Sequence, residues 1–157
     1  MSIDDFQRMR SLNNWPILLL RVYTGVFFAY YGFRKIVGGT FADGMTGFLN
    51  SREDMVGWYR VIVDAVVLPM QSLFAFLVAY GELALGMALI IGLATRYAAF
   101  CGAFMVLNFW FAKGQGVLDS QNHDVIWFVI LIVLGSLHAG RVMSVDQKLV
   151  KRFRFLA

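Results

Sequence analysis

The most regular feature of the chain is a series of four long apolar stretches separated by polar or glycine-rich segments. A helix that crosses the hydrocarbon core of a bilayer needs about 20 predominantly apolar residues. We expect such helices over about 16–36, 66–92, 95–112 and 124–142. Two of the three connections are short, which favours antiparallel neighbours. The pattern therefore predicts an all-α integral membrane four-helix up-down bundle that forms one transmembrane domain, residues 1–157.

The first connection, about residues 37–65, is longer and has two halves. Its first half is rich in glycine, and its second half begins with the capping-box spacing of Ser51-Arg52-Glu53-Asp54. Apolar residues then recur at helical intervals, at Met55, Trp58, Tyr59, Ile62 and Val66. We expect a short amphipathic helix in this first extracytoplasmic loop, lying in the membrane interface. A helix packed on the end of the bundle is the alternative.

Composition supports a bilayer as the solvent. Hydrophobic residues make up 59% of the chain and charged residues 15%, against about 45–50% and about 25% in soluble domains. The net charge of +4 arises largely from the basic tail, residues 143–157. Membrane topology explains that tail better than nucleic acid does, so we expect lipid and no nucleic acid as a partner.

The distribution of Lys and Arg predicts the orientation, because cytoplasmic loops carry the excess of these residues. Eight lie in the N-terminal segment, the second loop and the C-terminal tail: Arg8, Arg10, Arg96, Arg141, Lys148, Lys151, Arg152 and Arg154. Five lie on the other side: Arg34, Lys35, Arg52, Arg60 and Lys113. We therefore expect a multi-pass protein of the inner (cytoplasmic) membrane with both termini and the tail in the cytoplasm.

Arg21 and Glu82 fall well within the first and second predicted spans, where an unpaired ionisable group costs several kcal/mol. Each lies on a stripe of small residues, which lets helices approach closely and indicates a face turned into the bundle. The stripe of Arg21 continues through Gly25, Phe28 and Gly32, and that of Glu82 through Ala75, Ala79 and Gly86. In the third span Asn108 shares a face with Cys101, Met105 and Ala112, and the fourth carries Asp124, Phe128, Leu131, Gly135 and His138 on one stripe.

Counting residues from the predicted helix ends places these groups in two clusters. Arg21, Glu82 and His138 form a candidate catalytic cluster in the cytoplasmic half, suited to binding or to proton handling. Asn108, Asp124 and Trp127, with His123 nearby, form a candidate cofactor-binding cluster nearer the outer face. The alternative for Arg21 and Glu82 is a buried pair that only fixes helix register, and for Asn108 it is a hydrogen bond between helices.

Several chemistries do not fit the residues. Cys101 is the one cysteine, so the chain holds neither a Cys-x-x-Cys pair nor an iron–sulfur ligand set. His123 and His138 are fifteen residues apart on one predicted helix, about 22 Å along its axis, so one copy cannot supply both axial ligands of a haem. We expect no haem, no metal and no iron–sulfur cluster. The many aromatic residues are expected to face lipid or the interface.

Taken together, these segments resemble the DoxX/DoxD-like family of small four-helix membrane proteins over about residues 15–150. The matching stretches are Leu20-Arg21 with Gly25, Phe28, Gly32 and Lys35; Gly81-Glu82-Leu83 with Gly86; Gly92 to Arg96; Asn122 with Asp124; Ala139-Gly140-Arg141; and Ser144-Val145-Asp146. The long first connection is more similar to DoxD-type members. The position of Asp124 often holds Glu in the family.

The resemblance implies a membrane subunit linked to redox chemistry, since DoxD-type proteins are associated with thiosulfate:quinone oxidoreductase and quinol oxidase assemblies. On this reading the chain interacts with quinone, and Arg21, Glu82 and His138 orient its head group or exchange protons with it. A partner oxidoreductase supplies the electrons, so the chain is at most one subunit of a quinone-linked enzyme. The alternatives are a non-catalytic scaffold or assembly factor and, more weakly, a small-molecule transporter. The sequence is also compatible with a homo-oligomer.

The topology can be tested directly. Reporter fusions at Ala157 and within residues 38–47 should give a cytoplasmic signal at the first position and an extracytoplasmic signal at the second, because of the Lys and Arg asymmetry. An extracytoplasmic signal from Ala157 would contradict this orientation.

Overall fold

A computed structural model describes residues 15–137 of the chain, and His138 and the basic tail fall outside that range. The described part is helical throughout and contains no strand. Its helices are α1 (Trp15–Gly38), α2 (Phe41–Ser51), α3 (Gly57–Ile62), a π-helical turn (Val63–Val67), α4 (Gln71–Ile91), α5 (Thr95–Lys113) and α6 (His123–Ser136).

Glycines bring α1 and α4 into backbone contact. A Cβ atom on Gly86 would lie 2.3 Å from the Ala29 nitrogen, and one on Gly32 would lie 2.5 Å from the Leu83 nitrogen. Gly25 approaches Gly86 and Ile90, whereas Gly32 approaches Ala79 and Leu83. The two helices therefore run in opposite directions, and their register is fixed by atoms of the backbone itself.

Helices α5 and α6 form the second close pair. Gly102 of α5 makes room for the side chains of Leu85 and Leu131, and Gly135 of α6 packs against the ring of Phe100. Contact between α4 and α5 extends over a much shorter stretch than either pair. The buried core between the helices consists of Phe28, Leu85, Leu89, Ala99, Ala103, Val106, Leu131 and Leu134.

The predicted inward stripes are confirmed for α1 and α4, whose named members are all buried. The stripe of α6 is confirmed at Asp124, Leu131 and Gly135. The stripe of α5 is confirmed only in part, because Ala112 is buried but Cys101 is exposed. Small residues at intervals of three or four thus identified the packing faces of the helices.

The first connection differs from the prediction. Its glycine-rich half is helical, as α2, and Ser51 ends this helix instead of capping the next. The second helix, α3, lies against the end of the bundle, with Tyr59 and Val63 in a small core that also contains Leu49, Met55 and Ala112. The alternative interpretation, a helix packed on the end of the bundle, therefore describes the inner face of α3. On its other face Trp58 is 56% exposed.

Gly114 allows this connection to pack closely against the end of α5. It ends α5 with a φ of +64°, a conformation that glycine adopts without strain. A Cβ atom here would also lie 1.7 Å from the carbonyl oxygen of Asp54. Two independent constraints, one conformational and one steric, therefore require glycine at this position.

Two helices, α1 and α4, are long and apolar enough by length and composition to cross a membrane, and the described part of α6 is apolar but shorter. Helix α4 begins at Gln71, later than predicted, because the π-helical turn and Pro69 interrupt the regular helix before it. Large apolar side chains also cover much of the outer surface, among them Trp15, Tyr23, Val37, Val61 and Phe104, all at least 60% exposed.

The glycine contacts predict opposite effects for two similar substitutions. Gly86→Ala should destabilise the protein by about 1–3 kcal/mol, the usual cost of overpacking, because its Cβ would meet the backbone of α1. Gly47→Ala in α2 meets nothing within 4 Å and should be neutral or stabilise by up to about 1 kcal/mol. Unfolding in mixed micelles, followed by circular dichroism, compares them. Equal stability of the two variants would show that the helices are not in backbone contact.

Candidate functional site

One end of the bundle encloses a cavity of about 930 Å³. It lies between the last turns of α1 and α5 and the first halves of α4 and α6, with α2 and α3 contributing further walls. Most of its lining is apolar, and the aromatic part comprises Phe27, Phe28, Tyr31, Phe41, Phe48, Tyr59, Phe74, Phe104, Phe109 and Trp127. Its charged or strongly polar members are Lys35, Glu82, Asn108, Lys113, His123 and Asp124.

An ion pair between Lys35 and Glu82 joins α1 to α4 at this cavity. Lys35 Nζ donates a hydrogen bond of 2.5 Å to Glu82 Oε1. The Glu82 side chain is only 4% exposed, and its Oε2 atom has no hydrogen-bond donor among the described residues. Since the carboxylate lies about 16 Å along α4 from Gln71, the pair is close to the middle of the helix.

Two aromatic rings complete the surroundings of the Lys35 ammonium group. Its nitrogen lies 4.9 Å from the ring centre of Phe41 and 5.4 Å from that of Phe109. A cation within about 6 Å of an aromatic ring centre is attracted by the electrons of the ring face. The group is therefore held from α2, α4 and α5 at once, although it is carried by α1.

A second ion pair joins α5 to α6. Lys113 Nζ lies 2.7 Å from Asp124 Oδ2, without the alignment of a hydrogen bond. Asn122 caps α6 by accepting from the Val125 backbone N–H at 3.4 Å, and its amide donates to the Gly116 carbonyl at 2.8 Å. This cap places Asp124 in the first turn of the helix, where the helix dipole stabilises a carboxylate.

Tyr59 connects α3 to the wall formed by α5. Its hydroxyl donates to Asn108 Oδ1 at 3.0 Å, and the Asn108 amide donates to the Phe104 carbonyl at 2.7 Å. Burial raises the pKa of the Tyr59 hydroxyl, since desolvation disfavours the phenolate. The hydroxyl therefore stays protonated at physiological pH and keeps its role as donor.

Two residues of the cavity wall, one on α4 and one on α5, are also exposed on the outer surface. Leu77 of α4 and Phe104 of α5 line the cavity, yet they are 52% and 69% exposed. This is also the side on which the two helices have little contact. These two side chains therefore mark a candidate opening of the cavity.

In a comparison with known families, the DoxX family profile matches residues 17–114. This range is well over half of the chain and contains the whole of α2 to α5 and nearly all of α1. The chain belongs to the DoxX family. Searches among curated proteins and among solved structures find no match. DoxX membership and the apolar helices together indicate a membrane protein.

In this DoxX protein the predicted pairing of Arg21 with Glu82 is wrong, because Glu82 pairs with Lys35. Contact between Gly25 and Ile90 places Arg21 level with the C-terminal end of α4. Glu82 lies about ten residues, or about 15 Å, from that end, toward the N-terminus of the helix. Arg21 is buried but does not line the cavity. His138, the third member of the predicted cluster, lies outside the described residues.

The residues of the other predicted cluster line one cavity, and Glu82 lines the same cavity. Asn108, Asp124 and Trp127 all contribute to the wall. Trp127 stacks on Phe27 with ring centres 4.0 Å apart. Both rings line the cavity, contrary to the expectation that the aromatic residues face lipid or the interface. Within residues 15–137 no three His, Cys, Asp or Glu side chains are grouped to hold a metal ion.

Sequence reasoning missed Lys35 and Lys113 as members of the site, having counted both as loop charges. Lys35 follows Gly32 by three residues and so continues the buried stripe of α1. Lys113 follows Phe109 by four residues and extends the cavity face of α5. Following the first stripe to the end of its predicted span, and the helix of the third span one residue further, would have identified both lysines.

The ion pair of Lys35 with Glu82 predicts a non-additive response to substitution. Lys35→Leu leaves a buried carboxylate without its cation, and breaking a buried pair typically costs about 3–5 kcal/mol. The partial exposure of Lys35 places the expected loss near the lower value. Lys35→Leu combined with Glu82→Leu should recover most of the stability, as measured by unfolding in mixed micelles.

Asp64→Asn provides the control, because it breaks the exposed pair of Arg60 and Asp64. Such surface pairs contribute about 1 kcal/mol or less. Strictly additive losses from the two leucine substitutions would mean that Lys35 and Glu82 do not interact.

Proposed function

We propose that this DoxX protein is a membrane subunit of a redox complex whose cavity binds the head group of a quinone. In this proposal the helices α1, α4, α5 and α6 cross the inner membrane as an up-down bundle with both termini in the cytoplasm. The cavity then lies in the extracytoplasmic half, beneath the first connection. In this proposal a partner oxidoreductase supplies the electrons.

The observation that carries the proposal is a large aromatic cavity with a buried ion pair and an opening toward the lipid-facing surface. Its volume of about 930 Å³ lies near the top of the range of about 300–1,000 Å³ found for small-molecule sites. The opening beside Leu77 and Phe104 suits a ligand that arrives from the bilayer. Quinones match both the polar groups and the apolar opening, because they have a flat ring with polar oxygens and an apolar chain.

The residues of the cavity fit such a group. Trp127 and Phe109 offer ring faces for the head group, and Lys35 and Lys113 offer N–H donors for its oxygens. A bound quinone would take up two electrons and two protons and leave as the quinol. The Lys35–Glu82 pair can hold and pass protons there, because moving one proton between the two groups changes the charge of both without charging the pair as a whole.

A scaffold or assembly role is the second candidate, and the ion pairs are the observation that favours it. One pair links α1 to α4 and the other links α5 to α6. Both could serve only to hold helices together. Binding of quinone at the cavity separates the two functions, because a scaffold has no need of it.

Tryptophan fluorescence in lipid nanodiscs tests the proposal. Added quinone should quench Trp127 saturably, because this indole lines the cavity. Trp127→Phe should therefore remove most of the saturable quenching. Trp15→Phe is the matched control, since Trp15 is 62% exposed and does not line the cavity. Quenching that rises linearly and equally in all variants would reflect partition into the lipid, and the proposal would then fail.

A further inference from the structure

The two lysines of the cavity are more exposed than the carboxylates with which they pair. The side-chain exposures are 23% for Lys35 against 4% for Glu82, and 33% for Lys113 against 10% for Asp124. Each carboxylate is thus the more shielded partner of its pair. The ammonium group is correspondingly the more accessible end of each ion pair, and both lysines line the cavity.

The two ammonium groups also belong to neighbouring parts of one wall. Lys35 Nζ lies 5.4 Å from the ring centre of Phe109. Phe109 and Lys113 are four residues apart on α5, so their Cβ atoms are about 5–6 Å apart on the same face of the helix. One planar head group can accordingly lie beside both lysines.

Both ammonium groups keep donors for a ligand. An ammonium group carries three N–H donors, and Lys35 gives one to Glu82. Lys113 is close to Asp124 but is not aligned for a hydrogen bond with it. Since the surrounding wall is mainly apolar, an oxygen that carries negative charge gains more from such donors here than in water.

We propose that Lys35 and Lys113 are the residues that recognise the ligand head group and that they select quinones whose ring carries an ionised hydroxyl over neutral quinones. This inference rests on the proposed quinone site. Glu82 and Asp124 act as positioning residues, because each forms an ion pair with one of the two ammonium groups. The negatively charged ring of such a ligand then lies beside the positive ends of both pairs.

The experiment compares two probes that differ in one group, 1,4-naphthoquinone and 2-hydroxy-1,4-naphthoquinone, whose hydroxyl is ionised at neutral pH. Equilibrium dialysis against nanodiscs containing the full chain measures binding, and empty nanodiscs correct for partition. The wild type should bind the anionic probe at least about tenfold more tightly, a factor that corresponds to about 1.4 kcal/mol. Lys113→Met should lose most of this preference, and Lys113→Arg should retain it.

Lys35 is tested as Lys35→Met combined with Glu82→Gln, so that no buried carboxylate is left without its cation. This variant should also lose most of the preference for the anion. Arg34→Met is the matched control, because Arg34 is adjacent in sequence, lies against Tyr30 and does not line the cavity. It should bind both probes as the wild type does. Circular dichroism establishes that each variant is folded.

The possible results separate this inference from the proposed function. Equal binding of both probes, unchanged in the lysine variants, would overturn the selection by Lys35 and Lys113 and leave the quinone site intact. Oleate, a carboxylate without a quinone ring, is the third probe. If oleate binds in a manner that depends on both lysines and neither quinone binds, the quinone site is overturned. Absence of binding by all three probes would overturn both.

Discussion

The backbone contact between α1 and α4 is the constraint on which the candidate site depends. Gly25, Gly32 and Gly86 leave no room for a Cβ atom between the two helices, so the register cannot slip without separating them. That register brings the last turn of α1 within reach of the middle of α4. Lys35 and Glu82 then meet in surroundings where either charge alone would be costly. Packing and ion pairing therefore favour the same arrangement.

The sequence predicted which faces of the helices are buried but not which charges meet. The buried faces follow from small residues at intervals of three or four, a property that each helix carries by itself. The pairing of charges depends on the offset between helices, which no single helix encodes. Counting from helix ends assumes that all helices begin and end on common planes. Arg21 lies beside the end of α4 because α1 is displaced relative to α4, and Lys35 takes its place as the partner of Glu82.

The first connection shows a different limit of sequence reasoning. Its glycines disfavour a helix by about 1 kcal/mol each relative to alanine, so an irregular segment was the natural expectation for residues that form α2. Packing outweighs this propensity, because Leu49 joins the core around Tyr59 and Val63. The close approach of Gly114 to Asp54 then ties the connection to the end of α5. Both features depend on contacts that are distant in sequence, and together they form part of the cavity wall.

The distribution of ion pairs explains how a cavity can exist in so small a bundle. Among the described residues, one buried pair reinforces the contact of α1 with α4 and the other that of α5 with α6. Neither bridges α4 and α5, which touch over a shorter stretch and border the opening at Leu77 and Phe104. Small changes in the spacing of these two helices can therefore widen the opening without separating either lysine from its carboxylate. Each ion pair would stay intact during such a change, because each lies within one closely packed pair of helices.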